Sequence, residues 1–307
     1  MNKVISLMGP TASGKTDLAI SLKKNFNIEI ISVDSVMLYK EFNIGSAKPD
    51  SETLIDFPHR LVNILEPYQK YSVAKFYKDL LIEISNVHSM KKTPLLVGGS
   101  MMYFKTFFSG GLSNLDDISD EIREKVSDML KNESIAYLYN YLKKVDPVSS
   151  NRIHFNDKYR IVRMLEIYFS NKDKPSDIFN KCSENVQCLS NLNLSIINKE
   201  RKILHNNIEK RLNIMLEQGF LNEVSSLKNK YIGSYLPAMK TIGYKQANDY
   251  LNGSYNIEVM KNKMLFATRQ LAKRQVTWLR HLDATTVYSS TDYDNIKFRV
   301  SNFLEET

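Results

Sequence analysis

The sequence predicts an α/β protein in which a parallel-sheet core carries a helical insertion. Three observations predict it. Short apolar runs alternate with helical spacings toward both ends of the chain. The first of these runs ends in a glycine-rich turn that opens a helix. Residues 113–189 contain no glycine and show only helical periodicity.

The elements follow in order. Residues 4–8 (VISLM) form a buried strand that ends at Gly9. Residues 17–26 have helical spacing, with Leu18, Leu22 and Phe26 on one face. Residues 28–33 (IEIISV) are the second strand, and 94–97 (PLLV) are the third, running into Gly98-Gly99. Residues 194–197 (LSII) and 285–288 supply a fourth and a fifth. Strands alternating with helices imply a parallel sheet covered on both faces. In the middle stretch Ile122, Val126 and Met129 form one helical stripe, and Ile161, Leu165 and Tyr168 another. The predicted division is a core of residues 1–112 and 190–307 and a helical insertion of residues 113–189. Beyond it, Leu204, Ile208, Leu212 and Met215 predict a helix ending at Gly219. A second helix restarts near Phe220, and the last long helix covers 257–281.

Composition narrows the class. A chain of 307 residues has room for about two domains. No stretch reaches the ~18–20 apolar residues of a membrane span, so no membrane partner is expected. The apolar start before Gly9-Pro10 is too short for a secretory segment, and the two cysteines, Cys182 and Cys188, suit a reducing compartment; a cytoplasmic monomer is expected. No second cysteine pair or His-x-His cluster suggests structural zinc. The 42 basic and 34 acidic residues leave a net charge of +8, with basic residues gathered near the C-terminus.

The strongest motif is Gly9-Pro10-Thr11-Ala12-Ser13-Gly14-Lys15-Thr16, which fits G-x-x-x-x-G-K-[ST] between a strand and a helix. Glycines let the loop wrap so that main-chain N–H groups face one concavity. The helix N-terminus adds partial positive charge, Lys15 a full charge for terminal phosphates, and Thr16 a hydroxyl for Mg²⁺. A ligand with a phosphate chain, a nucleotide among the choices, is therefore expected, on a P-loop nucleoside-triphosphate-hydrolase-like sheet. The second strand ends at Asp34, the one carboxylate at the C-terminal edge of the predicted sheet. It suits a metal ligand, a general base or a turn cap.

The chain resembles the tRNA dimethylallyltransferases, also called tRNA isopentenyltransferases. The matching pieces are GPTASGKT at 9–16, ISVDS at 31–35, IGSAKP at 44–49, PHRL at 58–61, LLVGGS at 95–100, ATRQLAKRQ at 267–275 and TWLR at 277–280. They run from end to end in family order. The resemblance implies a P-loop core with a helical insertion. It also implies transfer of a dimethylallyl group from dimethylallyl diphosphate to N6 of adenosine 37, beside the anticodon in the tRNA anticodon stem-loop. It gives the loop 9–16 to the diphosphate, with residues 11–16 closest, and makes Asp34 the base that takes the N6 proton. Ser35, Val36 and Met37 complete a tRNA-contacting segment. Ser100 stands where the family usually has Thr and joins Asp34 and Lys15 among the catalytic candidates. Arg123 matches an insertion arginine that touches tRNA. Tyr159, Arg160, Ile161, Val162 and Arg163 align with a segment usually written QRxxR and depart at its first position. Lys240, Thr241, Ile242, Gly243, Tyr244 and Lys245 match a segment that usually has arginine at both ends; lysine keeps the charge without the bidentate fork. Lys273, Arg274, Gln275, Val276, Thr277, Trp278, Leu279 and Arg280 are close to the family form.

The chemistry agrees with these residue types. An allylic diphosphate ionises when its leaving group is neutralised, the task of the loop amides, Lys15 and Mg²⁺. An exocyclic amine is a weak nucleophile, and a nearby carboxylate removes its proton as the new bond forms. The target base must leave its stack to be reached. On the last long helix Met260, Met264, Ala267, Leu271 and Trp278 share one face, and Arg269, Lys273 and Arg280 lie opposite as a stripe able to grip phosphates. An ordinary solvated face fits that stripe as well. Arg201 and Arg211 start and line a helix and could add charge near the diphosphate, but long basic side chains on a helix are more often a solvated face and both are set aside; Trp278 is read as core, and His59 and His281 as structural or surface groups. Two other readings share the loop: a kinase of a nucleotide or small metabolite, and a nucleic-acid binder that uses the loop as a switch. A fork within the family is prenylation of free adenine nucleotides.

Overall fold

The computed structural model describes residues 2–111, 118–181, 189–198, 200–282, 285–289 and 291–306. Cys182, Cys188 and the expected boundary at 112/113 lie outside them. The chain divides into two compact units. The first comprises Met1–Tyr71, Lys78–Lys105 and Cys188–Thr307; the second comprises Ser72–Tyr77 and Thr106–Gln187.

In chain order the elements begin β1 (Lys3–Met8), α1 (Lys15–Asn25), β2 (Ile28–Val33), α2 (Ser51–Asp56), β3 (His59–Arg60), α3 (Val73–Ser89), β4 (Thr93–Gly98) and α4 (Met101–Phe108). Five helices follow: α5 (Asp120–Asn132), α6 (Ile135–Val145), α7 (Pro147–Asn151), α8 (Lys158–Asn171) and α9 (Pro175–Lys181). The chain closes with β5 (Ser190–Ile196), α10 (Arg201–Glu217), α11 (Phe220–Lys230), α12 (Tyr244–Leu251), α13 (Ile257–Arg280), β6 (Thr286–Tyr288) and α14 (Tyr293–Glu305).

The six strands form one parallel sheet in the order β3-β2-β4-β1-β5-β6. All five expected strands are present. The sixth, β3, pairs through only Ile30↔His59 and Ile31↔Arg60, too short a segment to leave a period-two signal. β2 is buried along its whole length, as a strand covered on both faces must be. Leu18 and Leu22 of α1 and Ile296, Val300 and Phe303 of α14 pack in one core cluster with Ile5, Leu7, Ile30 and Leu194 of the sheet. α14 corrects the expectation that 257–281 is the last long helix.

The chain leaves β1 for β2, which lies beyond β4, while β5 sits on the other side of β1. The direction of winding therefore reverses at β1, and the crevice above its C-terminal end is where open α/β sheets bind ligands. That end carries the loop 9–16.

The second unit is helical. Val126, Leu138, Leu142, Ile153, Ile161 and Leu165 form its core. Asp146 is fully buried there. Its Oδ1 accepts from the Ser149 amide at 3.0 Å and the Ser176 hydroxyl at 2.8 Å, and its Oδ2 from the Ser176 amide at 2.8 Å. One carboxylate thus starts α7 and ties it to α9.

Candidate active site

The loop 9–16 is built by backbone that few residues tolerate. Gly14 caps α1 with φ 85°, left-handed, at no steric cost for glycine. A Cβ on Gly9 would stand 2.8 Å from both the Ile196 carbonyl and the Ser13 Oγ, so only glycine lets the loop lie this close to β5. The first amides of α1 have no acceptor within the helix and point out of its N-terminus. The Lys15 Nζ donates to the Pro10 carbonyl at 2.6 Å and to the Ser13 hydroxyl at 3.3 Å. Burial lowers the Lys15 ammonium pKa to about 7, the Arg211 guanidinium adds to the effect, and Asp34 pulls the other way.

Two helices from the far end of the chain hold this loop. Ala12 packs with Leu204 and Ile208 of α10 and Ala272 of α13. The Asn207 side chain donates to the Ala12 carbonyl at 3.3 Å, and Arg211 to the Thr11 hydroxyl at 3.3 Å. The Gln275 Oε1 accepts from the Thr11 amide at 2.9 Å, while its Nε2 donates to the Gly99 carbonyl at 2.8 Å. Arg211, set aside in the sequence, therefore sits on the loop, whereas Arg201 is exposed at the start of α10. Spacing along α10 holds no signal that separates the two arginines.

Asp34 ends β2 beside this loop. Its Oδ1 accepts from the Val36 amide at 2.8 Å and the Met37 amide at 3.1 Å, so it does cap a turn. Among the described residues Oδ2 takes no hydrogen bond. The Ser100 amide donates to the Val33 carbonyl at 3.3 Å, which puts Ser100 at the neighbouring strand end. Asp34 lines a cavity of about 260 Å³ with residues 11–17, Met37, Gly98, Gly99, Arg211 and Gln275. His59 also lines it, and burial lowers the His59 pKa. Ser46, Ala47 and Pro49 form a further wall. The segment leading to them is fastened by Glu223, whose carboxylate accepts from the amides of Asn43, Ile44 and Gly45 at 3.0, 2.8 and 3.2 Å and from the Tyr244 hydroxyl at 2.6 Å.

The residues expected to touch tRNA divide by exposure. In the first unit Ser35, Lys240, Lys245, Lys273, Arg274, Thr277 and Arg280 are exposed, and Val36, Met37, Ser100, Thr241, Ile242, Val276 and Trp278 are half-buried. In the second unit Tyr159 is 82% exposed. Arg123, Arg160 and Arg163 pair there with Asp120, Asp157 and Glu166. Four expectations need correction: the side chains of Ile161, Tyr244, Gln275 and Leu279 are buried and present no surface to a polynucleotide, and Gly243 is buried as well. Ile161 is core of the helical unit, and Tyr244 packs edge-on against Phe42 and Phe220. The predicted seam of α13 is corrected as well. Its buried positions are Met260, Met264, Ala272, Gln275 and Leu279, while Ala267, Leu271 and Trp278 are half-exposed. The seam is turned because a polar residue, Gln275, is buried to tie the loop. Arg269 is partly covered and pairs with Glu209 at 3.4 Å, while Lys273 and Arg280 remain exposed.

The site combines a helix N-terminus, two half-buried cations and a carboxylate around one cavity. Such a site can hold a diphosphate, stabilise its departure and accept a proton beside it. Comparison with known proteins is consistent with this chemistry. The model of the family described as IPP transferase matches residues 37–282. A tRNA dimethylallyltransferase of Coxiella burnetii (strain RSA 331 / Henzerling II) is 43% identical over 300 residues, which cover 96% of each chain. Among solved structures, the tRNA isopentenylpyrophosphate transferase of Bacillus halodurans superposes with TM-score 0.70 at 30% identity, covering 99% of this chain and 96% of that one. A eukaryotic dimethylallyltransferase acting on tRNA superposes with TM-score 0.80 at 27% identity, covering 98% of this chain and 79% of that one.

Proposed function

The chain belongs to the IPP transferase family, and on that premise we infer that it is a tRNA dimethylallyltransferase. It moves the dimethylallyl group of dimethylallyl diphosphate to N6 of adenosine 37, next to the anticodon of tRNA. The bond between allylic C1 and the diphosphate oxygen breaks, a bond between C1 and N6 forms, diphosphate leaves, and the N6 proton passes to a base. The observation that carries this reading is that the phosphate loop and Asp34 line the same cavity.

The amides of residues 12–16, Lys15 and Arg211 bind the diphosphate and balance the charge that grows as it departs. The Thr11 amide serves the loop itself, since Gln275 takes it. Asp34 keeps its turn with Oδ1 and receives the proton on Oδ2, worth typically ~10²–10⁴-fold in rate. The donors here fit Mg²⁺: they are hard oxygens, and among the described residues no cluster of three His, Cys, Asp or Glu offers a cage for another metal. Thr16 would hold Mg²⁺ together with the diphosphate's own oxygens, where it adds positive charge at the leaving group. The adenosine enters unstacked. On this reading Met37, which lines the cavity, and Ser35, Val36 and Ser100 at the adjoining strand ends meet the tRNA around the target base, and Lys240, Lys245, Lys273, Arg274 and Arg280 grip phosphates. On the helical unit, Arg123, Tyr159, Arg160 and Arg163 take the same part.

The test is incubation of purified protein with unmodified tRNA, dimethylallyl diphosphate and Mg²⁺, without ATP, followed by mass analysis of anticodon-loop nucleosides. Dimethylallyl-adenosine is the expected product. Phosphate transfer from ATP to a small acceptor, with the RNA unchanged, would establish the kinase reading instead.

A further inference from the structure

Lys48 stands between Ala47 and Pro49, two residues that line the cavity of the phosphate loop and Asp34. Its own side chain turns back onto the chain around it. The Lys48 Nζ donates to the Tyr39 carbonyl at 2.7 Å, the Asn43 Oδ1 at 2.9 Å and the Asn63 Oδ1 at 2.6 Å. We propose that Lys48 is a positioning residue for the transfer: it holds the turn that carries Asp34 and the wall of Ser46, Ala47 and Pro49 in one fixed arrangement. The proposal rests on the transferase reading above and adds a residue that acts without touching either substrate.

Three observations carry it. The first is a chain of hydrogen bonds from Lys48 to Asp34. Asn63, whose side chain the ammonium fixes, donates its amide to the Met37 carbonyl at 3.1 Å. Met37 donates its own amide to the Asp34 Oδ1 at 3.1 Å. On a second route Lys48 holds the Tyr39 carbonyl, the Tyr39 amide donates to the Val36 carbonyl at 3.0 Å, and the Val36 amide donates to the same Oδ1 at 2.8 Å. Both routes end on the oxygen that orients the carboxylate, and both leave Oδ2 for the proton. The second is the count of donors. An ammonium has three N–H groups, and oxygens of the chain take all three of those on Lys48. Lys15 has two engaged and keeps one for a phosphate; Lys48 keeps none. Burial lowers the Lys48 pKa to about 8, with Glu223 and Asp34 pulling the other way, so the group is charged at neutral pH and its bonds are of the stronger, charge-assisted kind. The third is the backbone. Glu41, Ala47, Leu61 and Asn63 have φ of 65°, 54°, 60° and 58°, left-handed values that residues other than glycine adopt at a cost. All four lie in the two stretches that Lys48 joins, residues 39–48 and 61–63. Such backbone persists only where its surroundings over-determine it, and Lys48 supplies three of the bonds that do so.

The test compares Lys48→Met, Lys48→Arg and Asn63→Gly in the full chain. Methionine keeps the length and loses the donors, and arginine keeps charge and donors. Glycine accepts the backbone of residue 63 and removes only its side chain. Three quantities are read: single-turnover transfer from saturating dimethylallyl diphosphate to tRNA, calorimetric binding of inorganic diphosphate, and amide hydrogen exchange over residues 34–40. Lys48→Met is expected to slow transfer ~10–100-fold, the scale set by a small displacement of a reacting group. It should also speed exchange at Val36, Met37 and Tyr39, while inorganic diphosphate binds as in wild type. Asn63→Gly should act in the same direction by less, and the double variant should be no slower than Lys48→Met alone, because the two share one route. Lys48→Arg should recover most of the rate. The rival role is a direct phosphate contact, since Lys48 also borders a wider cavity of about 920 Å³ with Thr16 and Arg211. Diphosphate binding weakened ~10-fold or more in Lys48→Met would establish that role and overturn the proposal. A lower melting temperature with unchanged single-turnover transfer would also overturn it. Should Lys48→Met fail to fold, Asn63→Gly decides: wild-type transfer and exchange there would sink the proposal. No transfer by wild type would refute the transferase reading itself, and exchange at residues 36–39 would still decide whether Lys48 holds the turn.

Discussion

Gln275 on α13 receives the Thr11 amide of the phosphate loop at 2.9 Å, across 264 residues of sequence. Its other end donates to the Gly99 carbonyl at the tip of β4, so one buried amide fixes the spacing of two strand-end loops. Gln275→Ala leaves a half-buried donor and a half-buried acceptor without their partner, at up to ~1–3 kcal/mol for each such group. The expected outcome is weaker binding of inorganic diphosphate by ~5–100-fold, read by calorimetry, with tRNA affinity changed far less. Gln275→Glu keeps the acceptor for Thr11 but loses the donor to Gly99 and adds a negative charge beside the phosphates. It is expected to bind diphosphate more weakly than the alanine variant.

Because the Asp34 Oδ1 caps the turn at residues 36 and 37, alanine would remove structure and chemistry together. Asp34→Asn retains an acceptor oxygen for that turn and cannot take up the proton. Single-turnover transfer should fall ~10²–10⁴-fold with tRNA affinity preserved. Near-normal turnover in the asparagine variant would remove Asp34 from the role of base.

Burial beside Arg211 holds the Lys15 ammonium at a pKa of about 7, so a good part of it is neutral above that pH. A bound diphosphate favours the charged form and raises the pKa. Binding above pH 7 should therefore take up a proton, and affinity should fall by up to ~10-fold per pH unit as pH rises through this window. Calorimetry in buffers of different ionisation enthalpy reads the uptake. Lys15→Arg keeps its charge and should lose that component, while the titration of diphosphate itself is common to both proteins and cancels.

Lys273 is exposed on α13. Lys273→Ala should weaken tRNA binding and reduce the slope of log affinity against log salt by about one. An unchanged slope would make Lys273 an ordinary solvated residue.

Burial pushes the Asp146 carboxyl pKa up, but hydrogen bonds from Ser149 and then Ser176 outweigh it and hold the pKa below the usual value. A carboxylate held low contributes stability above its unfolded pKa and loses it as pH falls through the folded one. Asp146→Ala leaves three buried donors without an acceptor, and at neutral pH should lower stability by at least ~1–3 kcal/mol in urea unfolding. The loss should shrink toward acid pH, where the wild-type carboxylate is protonated too.

Local pattern alone located five strands, the phosphate loop, the helical character of the middle stretch and the carboxylate at the end of β2. Each is written in neighbours a few residues apart: apolar runs, a 3.6-residue stripe, glycines at fixed spacing. The two-residue β3 was too short to register, and Ile161, Tyr244, Gln275 and Leu279 were taken for contact residues because a motif names positions and says nothing of which way a side chain packs. Only the tertiary structure decided that α10 and α13 lie on the phosphate loop, so that Arg211 belongs to the site and Gln275 is a buried tie. Those contacts join residues about 200 positions apart or more, and helical periodicity reports which side of a helix is buried without saying what covers it.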